Sequence, residues 1–101
     1  MEQATTSHHY AREKFHQAVH ALATSPRSIQ ERLASAGEYL LRLNESDDLP
    51  LEHRREFNAV CQELAKGDGD IISTTRKLAD EECSKLADRI LSVYTELRGG
   101  I

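Results

Sequence analysis

The chain has 101 residues, 39% hydrophobic and 30% charged, the length and balance of one domain with its own core rather than of a disordered or membrane-embedded segment. Its formal charge of −4 is spread thinly: residues 1–24 sum to zero, 25–48 to −2, 49–67 to zero and 68–101 to −2. That excludes the basic stripe with which duplex-binding modules displace phosphate counterions.

Two prolines and five glycines are few, and Ala, Leu, Glu, Arg and Lys abound, which favours helices. Residues 1–6 are expected to be a flexible lead. A first helix is expected over residues 7–24, with Ser7 as its cap and Ala11, Phe15, Ala18, Val19 and Leu22 as its apolar stripe. Ser25 and Pro26 suit the start of a second, in which Ile29, Leu33, Ala36, Leu40 and Leu43 form a seam in steps of four and three. Its end is expected near Asn44, followed by a polar loop.

Asp47, Asp48 and Pro50 open a third helix, with Phe57, Val60, Cys61 and Leu64 inward and Gly67 as a left-handed stop. From 70 to 98, Ile72, Thr75, Ala79, Cys83, Leu86, Ile90, Val93 and Leu97 fall on one line. One long helix would satisfy this spacing. Asp80, Glu81 and Glu82 before a fresh apolar period favour a break instead, with a short helix near 70–78 and a longer one near 80–98. The expected fold is all-α: an antiparallel bundle of four helices over residues 7–98, the last broken near Ala79, with a tail at 99–101. The tail segment LRGG, Leu97 to Gly100, resembles the end of the ubiquitin family over four residues. No strand alternation accompanies it, and glycine after a helix is a common stop.

Four of the five histidines lie between residues 8 and 20. His9, Glu13, His16 and His20 share a sector of roughly 60°, centred roughly 145° from the first helix's stripe. Imidazoles four residues apart can share an ion, so His16 and His20, with Glu13 as a further ligand, form a candidate site for weak zinc or nickel binding. Each half of the row offers two ligands, where structural zinc takes four and catalytic zinc three. The rest would come from another chain or helix, His53 being one candidate. The simpler reading is a hydrated face.

Cys61 and Cys83 fall on apolar faces and read as core thiols. With no secretion signal in the sequence, they also suit a reducing cytoplasm. The acidic clusters read as helix starts and turns, and no nucleophile or phosphate loop accompanies them, so neither catalysis nor a cofactor is expected. Leu41 lies about 100° off its seam and Leu91 is similarly displaced, with Tyr94 between Leu91 and the core line. Leu41, Leu91 and Tyr94 are therefore the candidate partner-binding residues. The expected function is a small, soluble, cytoplasmic protein-interaction or regulatory module, binding another protein or itself, with no nucleic acid and no membrane. Metal binding by the histidine row is the alternative.

Overall fold

Helix α1 runs Glu2–Thr24, starting five residues before the position that Ser7 suggested. Glu, Gln and Ala at residues 2–4 are good helix formers, and no breaker separates them from Ser7. The computed structural model describes residues 2–43, 48–66 and 70–98, with side chains from residue 9 onward. All of the loop expected at 44–48 except Asp48, the Gly67 stop and the tail at 99–101 lie outside the described residues.

Helix α2 spans Ile29–Leu40. Its cap is Ser28, not Ser25, and Pro26 stays in the connection. The Ser28 hydroxyl accepts from the Glu31 N–H at 3.2 Å, and the Glu31 carboxylate accepts from the Ser28 N–H at 3.4 Å. This reciprocal box needs a carboxylate or amide three residues after the cap. Ser25 has a serine there, and its hydroxyl accepts from the Arg27 N–H instead. The helix also stops earlier than Asn44. Leu41 donates to the Gly37 carbonyl, then Leu43 folds back by donating to the Leu40 carbonyl at 3.0 Å. That tight turn keeps Leu43 in the core after the helix has ended.

Helix α3, Leu51–Ala65, follows Pro50 and buries His53, Phe57, Val60 and Leu64. Cys61 is only half-buried. Leu49, ahead of the helix, is 1% exposed and joins the core. Helical periodicity gave no signal for it, because it precedes the helix.

The final segment is broken as expected, giving α4, Ile71–Arg76, and α5, Asp80–Leu97. Ala79 is extended, at φ −71° and ψ 158°. Its N–H is taken by the Glu82 carboxylate at 2.9 Å, and three acidic residues occupy the positive first turn of α5. The break resets the helical phase. Ile71 is buried and Ile72 is 43% exposed, and Ala79 is an exposed cap rather than a core residue. The single line through Ile72 and Ala79 therefore does not exist, whereas Cys83, Leu86, Ile90, Val93 and Leu97 are all buried.

Among the described residues the fold is all-α, with five helices and no strand. Helix α2 is central, packing against each of the other four. Residues 9–13 lie beside 94–98 and residues 19–23 beside 84–91, so α1 and α5 run antiparallel. Phe15 and Phe57 meet in the interior at 6.1 Å between centroids with a 60° tilt, a favourable aromatic geometry.

Polar side chains serve the carbonyls that helix ends leave without partners. Arg32 donates from Nη1 to the Leu22 carbonyl at 2.9 Å, near the end of α1. Gln30 donates to the Leu78 carbonyl at 3.0 Å and to Asp80 Oδ1 at 2.8 Å, binding α2 to the break. Among the described residues, no helix is long and apolar enough to cross a membrane.

Candidate functional site

Two surfaces between α1 and α5 stand out. The first is an open groove. Val19, Leu22 and Ala23 come from α1, Ile29 from α2, and Ala87 and Leu91 from α5, with Ser84 and Asp88 as its polar members. Ala23, Ser84 and Ala87 are small, so the groove between the two helices stays unfilled. Leu91 is 46% exposed on its wall.

The three candidate partner residues do not gather into one patch. Leu41 is 47% exposed, but it caps the far end of α2 from Ile29. Twelve residues of helix place those ends about 18 Å apart. Tyr94 is half-buried and packs against the core, and its hydroxyl lies 2.8 Å from His16 Nδ1. Leu51, 76% exposed, was not among the candidates. Its spacing from Phe57, Val60 and Leu64 puts it on the opposite side of α3, which helical phase alone could have found.

The histidine row does face outward: His9, Glu13, His16 and His20 are exposed. The His16 and His20 rings are 6.4 Å apart between centroids. Both have other local partners. His16 is bonded to Tyr94 across the α1–α5 junction, and His20 Nδ1 lies 3.4 Å from the Thr24 hydroxyl. His53 does not complete the row. It is buried on α3, with Nδ1 3.5 Å from Glu96 and Nε2 3.9 Å from Glu52. Among the described residues no group of three or more His, Cys, Asp or Glu side chains is placed to hold a metal ion. His16, His20 and Glu13 share a helix face without forming such a set.

The second surface is a hollow lined by His9, Arg12 and Glu13 of α1 and Tyr94 and Arg98 at the end of α5. The Arg98 guanidinium lies over the Tyr94 ring, 5.6 Å from its centroid. A larger cleft between α2 and α4 carries Arg27, Arg76, Glu31 and Glu38 beside Ile72. Its charges balance, which gives a ligand of either sign little to select it.

The Cys83 thiol is not activated as a nucleophile. Burial raises the Cys83 thiol pKa, and the Asp80 and Glu82 carboxylates raise it further, so the reactive thiolate is disfavoured. Cys61 and Cys83 are not bridged to each other. A charged contact ties α5 to α3: Arg89 donates to Glu56 at 2.6 and 3.3 Å. Its hydrogen bond holds the Glu56 carboxyl below the ordinary value. In comparison with known proteins, the chain matches no family model, no curated protein and no solved structure.

Proposed function

We propose that the chain is a protein-interaction module that acts without catalysis, and that it docks an apolar helix of a partner protein in the α1–α5 groove. The observation that carries this reading is Leu91, nearly half exposed on the wall of an open groove whose other members are mostly apolar. Two antiparallel helices offer ridges between which a third helix packs, and small side chains allow its backbone close. Completing the burial of Leu91 contributes about 1 kcal/mol by itself, and its neighbours add to that. A reducing cytoplasm suits Cys61 and Cys83, which are not joined by a disulfide.

Leu91→Asp places a charge in the docking face and Leu41→Asp places one about a helix length away. Tagged forms purified gently from the native host test the reading. A partner held by the wild type and by Leu41→Asp, and lost with Leu91→Asp at unchanged helicity, supports it. Retention of the same partner by Leu91→Asp refutes it. Sedimentation of the isolated chain distinguishes a second copy as occupant: a dimer abolished by Leu91→Asp keeps the groove and replaces the partner.

A further inference from the structure

The hollow beyond the groove has a chemistry of its own. Arg12 and Arg98 border it from opposite helices. Among the described residues neither forms an ion pair, although Arg89 has Glu56 and Lys66 has Glu63. The Arg98 guanidinium carbon lies over the Tyr94 ring at 5.6 Å from its centroid, a cation–π contact that uses none of its N–H donors. Tyr94 adds a hydroxyl, anchored by His16 at 2.8 Å. When His16 donates from Nδ1, the phenol hydrogen is left for a further acceptor.

The donors in this hollow therefore outnumber its acceptors. Glu13 is the opposing group, an exposed carboxylate that lines the same space. Arg12, Arg98 and Glu13 together carry a formal charge of +1. Forked guanidinium donors on two sides match an anion with several oxygens better than a spherical ion.

We infer that this hollow binds a small phosphate-class oxyanion, held between Arg12 and Arg98 beside the Tyr94 hydroxyl. The site is separate from the docking groove, so either can fail without the other. Glu13 limits its affinity and gives the clearest control, because removing that charge strengthens binding while removing either arginine weakens it.

The test is NMR on the intact chain, titrated with inorganic phosphate near neutral pH at constant ionic strength. Chloride and acetate serve as parallel titrants. Saturable shifts confined to the lining residues His9, Arg12, Glu13, Tyr94 and Arg98 and to His16 beside Tyr94 are expected with phosphate. Arg12→Gln and Arg98→Gln should each weaken binding about fivefold, and Glu13→Gln should tighten it about threefold, modest factors because the site is open to water. Arg55→Gln removes the same charge from an exposed position on α3 outside the hollow and should leave affinity unchanged. No saturation overturns the assignment. So does a uniform drift shared with chloride, or equal loss in Arg55→Gln and Arg12→Gln. If acetate saturates the same signals as tightly, the phosphate class is wrong.

Discussion

Gly37 sits where α2 meets α4, and replacing it tests how tightly the five helices close. A Cβ there would collide with Ile71 Cδ1 and lie 3.1 Å from Leu64 Cδ1. Both neighbours are buried, Ile71 at 7% exposure and Leu64 at 0%. In an exposed helix, Gly→Ala would stabilise by about 1 kcal/mol through helix propensity. Here Ile71 must leave its rotamer within a packed interior, and overpacking of that kind costs about 1–3 kcal/mol. Gly37→Ala should therefore destabilise by about 1 kcal/mol net, against its propensity. Ile71→Val deletes the colliding methyl and by itself costs about 0.5–1.5 kcal/mol. In the double variant the alanine gains its helix preference with the main clash gone. The pair should then be at least as stable as Ile71→Val alone, a coupling of roughly 1–2 kcal/mol. Urea unfolding followed by circular dichroism measures all four proteins. If Gly37→Ala is more stable than wild type, or the two changes add to within about 0.4 kcal/mol, the close approach of α2 and α4 is wrong.

Ser28→Ala removes one half of the box that starts α2 and should cost about 1 kcal/mol, whereas Ser25→Ala should cost a few tenths; thermal melts of the two rank them. The Glu56–Arg89 pair should give a pH-dependent contribution. Because the folded Glu56 carboxyl lies below its ordinary value of 4.5, its stabilisation is present above that pH and disappears as pH falls through the folded value. The side chains are 43% and 36% exposed, so the contribution is at most about 1 kcal/mol. The stability gap between wild type and Glu56→Gln, measured by urea unfolding, should narrow as pH drops from about 7 to about 3. A gap that widens on acidification contradicts the sign.

The histidine-rich stretch shows how far local reading reaches. Helical phase put His9, Glu13, His16 and His20 on the outer side of α1, and they are exposed there. It could not show that His16 would meet Tyr94, 78 residues away. Nor could it show that His53 would be buried against α5 rather than added to the row. The same holds for the apolar outliers. Leu41 and Leu91 both sit off their stripes, and what Leu91 borders, the α1–α5 groove, is decided by the antiparallel register of those two helices, which sets what lies opposite each turn.

From the residues alone came the helical class, the break at Ala79 and most of the buried stripes, Phe15, Leu33, Leu40, Phe57, Leu64 and Ile90 among them. These depend on hydrogen bonds, dipoles and side-chain phase within three or four positions along the chain, so the information is local. The capping box at Ser28 was equally local, written as serine followed three places later by glutamate. Tertiary structure alone decided which helices became neighbours, at which turn, and which polar atoms met: Gln30 with Leu78, Glu56 with Arg89, Gly37 against Ile71. Those pairings follow from crossing angle and register, which many amphipathic stripes of the same period would satisfy equally until their side chains interlock.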